Sequence, residues 1–252
     1  MNTRHNITLG FVFGLTATLL GCRTAPPASN APAPAMSGMT SMSPAAAGKY
    51  IAADALDIQA VLKDPPANDS AATRSELDRM LEIQGARTAE DLQRIKGDGA
   101  IALRLFVGVL GTNVKPEALP VTEALLAAVG GNAQAVINKA KTHWNRPRPW
   151  VLESRLHPCI DKPTSASYPS DRAAQSRICA VVLGELFPAK KAQLVAKADQ
   201  VGFDRVVAGI HFPSDVRAGQ DLGQAIAAKI LQSAAFKVDL AAAQAEVAKM
   251  VP

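Results

Sequence analysis

Residues 204 to 215 read Asp204-Arg205-Val206-Val207-Ala208-Gly209-Ile210-His211-Phe212-Pro213-Ser214-Asp215, which places a guanidinium, an imidazole and a carboxylate in one short stretch. A carboxylate on one ring nitrogen fixes a histidine's tautomer and leaves the other nitrogen bare and basic, the state a histidine nucleophile needs. Asp215 is spaced to do this for His211, and Arg205, six residues before the histidine, is the matching anion clamp. A second stretch, Lys141-Thr142-His143-Trp144-Asn145-Arg146-Pro147-Arg148-Pro149, supplies two more fixed cations in Lys141 and Arg148. A third, Tyr168-Pro169-Ser170-Asp171-Arg172, begins a helix at Ser170, and the free amides of a helix start favour an anion. Any one of these is commonplace, since most Arg/Asp neighbours are solvated ion pairs. Together, three cations, a helix N-terminus and an oriented histidine make a cradle for a phosphoryl group that gains charge during transfer.

The elements that must position these groups read as helices. The chain is Ala-rich and poor in aromatic residues, with no alternating strand pattern and no repeat, so the expected fold class is all-α. Ser214 is placed to cap a helix carrying Val216, Leu222, Ile226 and Ile230, with Asp215 in its first turn, where the helix dipole favours a carboxylate. Ser170 caps a helix with Ile178, Val181, Val182, Leu183 and Leu186 that stops at Pro188, and Ala189 to about Val201 forms the next. Pro120 to about His143 is helical, with Gly130-Gly131 a candidate kink, and ends at the Arg-Pro-Arg-Pro segment. Earlier helices follow Ser70, up to Gly85, and Thr88, while Ile101 to Val109 is apolar nearly all round and predicts a buried helix. Residues 151–168 have little periodicity and read as an ordered loop.

Taken together, Lys141-x6-Arg148-Pro149, Ser167-Tyr168-Pro169-Ser170 and Arg205-x5-His211-x3-Asp215 resemble the three-part signature of the type 2 phosphatidic acid phosphatase and vanadium haloperoxidase superfamily. The nearest likeness is to the class A bacterial non-specific acid phosphatases, and it covers most of residues 56 to 235. The resemblance implies an all-helical bundle of the acid phosphatase/vanadium haloperoxidase type and a phosphomonoesterase that needs no metal. It also implies that Lys141, Arg148 and Arg205 hold the phosphate with help from Ser170, Asp171 and nearby amides. His211 attacks phosphorus to give a phosphohistidine, and Asp215 orients and charge-balances it. No cofactor is implied, although vanadate fits such a cradle as a phosphate mimic.

The second motif departs from the family pattern. Where the family has Pro-Ser-Gly-His, this chain has Pro169-Ser170-Asp171-Arg172, so the general-acid position is Arg172. Arginine binds anions but does not exchange its proton near neutral pH. Losing a general acid costs about 10²–10⁴-fold in rate. Asp171 brings a carboxylate toward an anion site, and Asp204 stands where the third motif usually has Ser, a change that weakens phosphate binding or partners an arginine. Two readings follow: a phosphatase whose proton comes from water, His143 or His157, or a catalytically impaired phosphate-binding or phosphoester-binding lipoprotein. A haloperoxidase shares the cradle but also wants the missing histidine.

The remaining features concern export. Arg4 and His5 precede an apolar run from Ile7 to Leu20 that is short for a membrane span, and Leu19-Leu20-Gly21-Cys22 resembles a bacterial lipoprotein signal. Residues 1–21 are therefore expected to be a signal peptide and Cys22 the lipidated N-terminus, an unmodified secreted cysteine being the alternative. Residues 22–49, rich in Ala, Pro and Ser, form a tether, and residues 50–252 the helical phosphatase-like domain. This places the protein in the periplasm, anchored to the outer membrane, with membrane contact through the lipid only. The formal charge of +5, or +4 once Arg4 leaves with the signal, comes without a basic stripe. Small phosphorylated substrates are thus the expected partners, nucleic acid is not, and oligomeric state is left open. Zinc is not expected, since no cysteine or histidine pair has ligand spacing. Cys159 and Cys179, an even remainder in an exported chain, are expected to form a disulfide, with two free thiols as the alternative.

Overall fold

The structure, a computed structural model, describes residues 48–97, 99, 101–111 and 113–250. The expected signal peptide, Cys22 and nearly all of the tether lie outside the described residues. The chain divides after Thr40, and the described residues belong to the second unit, Ser41–Pro252. Among them there is no strand, and no helix is long and apolar enough to cross a membrane.

The α-helices in chain order are α1 (Ile58–Val61), α2 (Ala71–Ala86), α3 (Ala89–Gly97), α4 (Val107–Leu110), α5 (Pro120–Trp144), α6 (Pro149–Leu152), α7 (Asp171–Leu186), α8 (Lys191–Val207), α9 (Pro213–Ile230) and α10 (Ala234–Val247). Several starts follow the capping chemistry of the sequence. Ser70 Oγ accepts from Thr73 N–H at 3.1 Å, and Thr88 and Asp91 exchange side-chain-to-backbone bonds of 2.9 and 3.1 Å in a reciprocal capping box. The helix expected from Ile101 to Val109 is instead a short 3-10 turn, Leu103–Phe106, running into α4.

The centre of the molecule is α7, whose run from Ile178 to Leu183 is buried on every side against α5, α8 and α9. A helix apolar all round must be enclosed in this way. Its packing on α9 depends on two residues without side chains. A Cβ on Gly219 would stand 2.3 Å from the Ser170 carbonyl oxygen, and one on Gly223 would stand 2.4 Å from that of Ala174. This close approach brings the starts of α7 and α9 together, and the Ser170 N–H donates to the Asp215 carbonyl at 2.9 Å.

Two boundaries differ from the sequence reading, and both bear on the site. Ser214 does not cap α9. Pro213, whose ring fixes φ and removes the N–H, takes the first helical position and pushes Phe212 into extended backbone, so Phe212 is the cap residue. Asp215 is still in the first turn, as expected, but at its third position, where its carboxylate accepts the Phe212 N–H at 3.0 Å. Likewise α8 does not stop near Val201 but runs to Val207, so Arg205 lies in a final helical turn and not in a loop. The turn is ended by Gly209 at φ +78°, a left-handed conformation that reverses the chain toward His211.

Candidate active site

His211 is 1% exposed and lies between α8 and α9. Arg148 Nη1 stands 2.9 Å from its Nε2, and the same Nη1 donates to the Ile210 carbonyl at 2.9 Å. A guanidinium only donates, so Nε2 must carry a lone pair and the ring proton must lie on Nδ1. Nδ1 faces Asp215 Oδ2 at 3.4 Å, as a positioned nucleophile requires.

Asp215 is wholly buried and satisfied from several directions. Arg146 Nη1 donates to Oδ1 at 2.7 Å, while Ser167 Oγ at 2.5 Å and Phe212 N–H at 3.0 Å donate to Oδ2. Burial alone would raise its pKa, yet His211, Arg146 and the Ser167 hydroxyl together hold it below the ordinary carboxylate value. Arg146 stacks its guanidinium 3.8 Å from the centre of the Phe212 ring and reaches Glu76 on α2 at 3.2 Å. Glu76 in turn accepts from the Ser214 backbone at 2.6 Å and from its hydroxyl at 2.9 Å. The charge behind His211 is thus an enclosed relay, Glu76 to Arg146 to Asp215.

On the opposite side of the ring stands a second carboxylate. Asp171 Oδ1 is 3.6 Å from His211 Nε2 and 3.7 Å from Lys141 Nζ. Burial works against its charge, but the imidazolium form of His211, Lys141 and Arg148 outweigh it and keep Asp171 far below the usual carboxylate range. Lys141, at the buried end of α5, donates to the Ala166 carbonyl at 2.8 Å, and burial pulls its pKa down, with Asp171 partly offsetting that pull. Arg148 is braced by Ser165, through the carbonyl at 2.9 Å and the hydroxyl at 3.1 Å. Asn145, left-handed at φ 41°, caps α5 and turns the chain so that Lys141, Arg146 and Arg148 all face inward.

The structure therefore brings Lys141, Arg148, Asp171, His211 and Asp215 together. Arg205 is buried in the last turn of α8, its backbone carbonyl accepting from Ile210 N–H at 3.1 Å. Ser170 is the true cap of α7, accepting from Ala173 N–H at 3.4 Å. Arg172, which the resemblance aligns with a general acid, donates to the Gly99 carbonyl. Asp204 is the arginine partner that the sequence offered as one outcome: Arg94 of α3 grips it with Nε at 3.1 Å and Nη2 at 2.9 Å. His143 packs edge-on against Trp144 and His157 is tied through its backbone to Gln84 and Arg87; both are exposed.

The expected disulfide is not formed. Cys179 is buried in the main core along α7, whereas Cys159 packs with Ile95, Val207 and Ile210 and binds the Ala208 carbonyl through its N–H. The two thiols belong to different apolar clusters. Sequence reasoning missed Arg146, Glu76, Ser165 and Ser167 as supports. Arg146 stood within the Arg-Pro-Arg-Pro segment and Ser167 within a quoted motif, but nothing in the sequence ties Glu76, on a helix 70 residues before Arg146, to the site. A cavity of about 440 Å³ borders Glu76, Tyr168 and Ser214 and includes none of the cradle residues.

This geometry can be set beside known proteins. The sequence pattern of the PAP2 superfamily matches residues 121–238. A non-specific acid phosphatase of Salmonella typhi is 30% identical over 206 residues, covering 77% of this chain and 81% of that protein. One of Salmonella typhimurium is 29% identical over the same length and shares. In fold, a bacterial vanadium-dependent iodoperoxidase is similar with a TM-score of 0.53 at 18% identity, over 70% of this chain and 54% of that one, so about half its length.

Proposed function

The chain belongs to the PAP2 superfamily, and from its kinship with bacterial non-specific acid phosphatases we propose that it hydrolyses phosphomonoesters through His211, without a metal. One observation carries this reading: His211 Nε2 accepts from Arg148 while Nδ1 faces Asp215, so the bare nitrogen points toward the cations. In this mechanism Nε2 attacks phosphorus, and the bond to the leaving oxygen breaks as a phosphohistidine forms. Lys141, Arg148 and Arg205 bear the charge on the phosphoryl oxygens, and Asp215 balances the charge gained by the imidazole. Water supplies the proton to the leaving oxygen, then attacks phosphorus and releases phosphate from Nε2. The substrates are small phosphorylated molecules, and vanadate is a mimic of them.

A second reading is favoured by Arg172. With arginine at the general-acid position and its guanidinium donating to Gly99, a cradle that binds phosphate without turning it over also fits the geometry. The test is release of p-nitrophenol from its phosphate by the full chain in excess chelator, a leaving group that needs little protonation. His211→Ala is expected to reduce turnover by at least about 10³-fold, since it removes the nucleophile, and a phosphorylated enzyme intermediate should be trapped only when His211 is present. An inert parent that regains activity as Arg172→His would replace the hydrolase reading with the binding one. We place the protein in the periplasm, held to the outer membrane by lipid on Cys22, and intact-mass measurement of the exported protein checks that modification.

A further inference from the structure

Around His211, Asp171 is out of keeping with the rest of the cradle. It is an anion inside an anion site, in a position where the family resemblance leads one to expect glycine. Its Oδ1 lies 3.6 Å from the nucleophilic nitrogen and 3.7 Å from the Lys141 ammonium. A reacting phosphorus must come within roughly 3–3.5 Å of that same nitrogen. The carboxylate thus stands where the phosphoryl group has to be. At 40% exposure of its side chain, on the first residue of α7, it has room to swing aside, but its charge travels with it.

We propose that Asp171 is a charge-selecting residue: its carboxylate occupies the phosphoryl position beside His211 and makes the cradle prefer phosphoryl groups with one negative charge over those with two. The proposal rests on the phosphate-cradle reading above, though not on turnover. The charged groups acting on Asp171 are Lys141 from α5, Arg148 from the loop before α6 and His211 just before α9, with Asp215 of α9 on the far side of the imidazole. Asp215 is matched by Arg146 at 2.7 Å, which leaves Asp171 as the anion set directly against Lys141 and Arg148. Each further charge on the ligand is repelled by Asp171 over only a few ångströms, and like charges set this close disfavour binding. Singly charged phosphoryl groups include half-protonated monoesters and phosphodiesters. An enzyme built this way binds monoesters better in acid, because acid sets the charge of the ligand.

The experiment is calorimetric titration of the full chain with inorganic phosphate, at about pH 5, where phosphate carries one charge, and about pH 8, where it carries two. The parent is expected to bind about tenfold or more weakly at the higher pH. Asp171→Asn, which keeps the shape of the side chain, is expected to bind about tenfold or more tightly than the parent at the higher pH and within a few-fold of it at the lower. Asp171→Gly should behave in the same direction. Parent and variants agreeing within about twofold at the higher pH would overturn the proposal, as would a parent affinity that does not weaken between the two, a measurement that needs no variant. Binding is read without turnover, so the two readings fail separately. If the shift appears and neither protein hydrolyses esters, charge selection stands and the hydrolase reading falls. If His211-dependent hydrolysis occurs without the shift, the reverse holds.

Discussion

The same tripeptide, Pro-Ser-Asp, begins two adjacent helices and does opposite work in them. At the start of α7, Ser170 is the cap and Asp171 the first helical residue, so the carboxylate projects forward, over Nε2 of His211. At the start of α9, Phe212 is the cap and Pro213 the first helical residue, so Asp215 falls on the third position and folds back under Nδ1. A two-residue change of register within a helix turns a partly exposed charge facing ligand into a wholly buried charge facing support. The difference lies in what surrounds each carboxylate: Asp215 has Arg146, Ser167 and a backbone amide, while Asp171 has only cations that a phosphate would also claim. Tripeptide identity is therefore no guide to role, and position relative to the cap is.

The sharpest way to test this contrast is to remove each carboxylate in turn. Asp215→Ala removes the nearer of the two carboxylates on buried Arg146, leaving Glu76 alone at 3.2 Å, and should cost about 3 kcal/mol in denaturant unfolding, together with near-complete loss of turnover. Asp171→Asn should leave the unfolding midpoint much nearer that of the parent. Equal losses at the two positions would dissolve the distinction between support and gate. A smaller effect is expected where the two helix starts are held together. Gly219→Ala pushes a methyl group onto the Ser170 carbonyl and should destabilise by about 1–3 kcal/mol, with a matching fall in turnover as the starts of α7 and α9 move apart. Unchanged kinetics in a destabilised variant would show that the register, and not the tight packing, sets the geometry. The smallest effect concerns the cysteines, Cys159 in the loop before α7 and Cys179 within it. Dithiothreitol should leave Tm unmoved, because Cys159 and Cys179 are not joined; a bridge between them would contribute about 3 kcal/mol by closing its loop.

Much of this molecule was legible in advance because it depends on local rules. Hydrophobic period and capping residues marked α2, α5, α7 and α9, and the pairing of Asp215 with His211 is a matter of spacing within one turn. What failed did so for one local reason and two distant ones. Ser214 looked like a cap until Pro213 claimed the first helical position, and α8 continued past Val201 because Arg94, on a distant helix, satisfies Asp204 in what would otherwise be a costly buried turn. The disulfide was inferred from cysteine number, which carries no information about which apolar cluster receives each thiol.

The sequence by itself determined the helical class, the three cationic and histidine motifs, and the presence of Arg172 after Pro169-Ser170-Asp171. All of these are properties of residue type and short spacing. Only the tertiary structure decided that Asp171 points into the cradle and Arg172 toward Gly99, and that Glu76 completes the relay behind Asp215. Those outcomes depend on how closely α7 can approach α9. That approach is set by the missing side chains of Gly219 and Gly223 and by contacts between residues far apart in the chain, which no reading of local pattern contains.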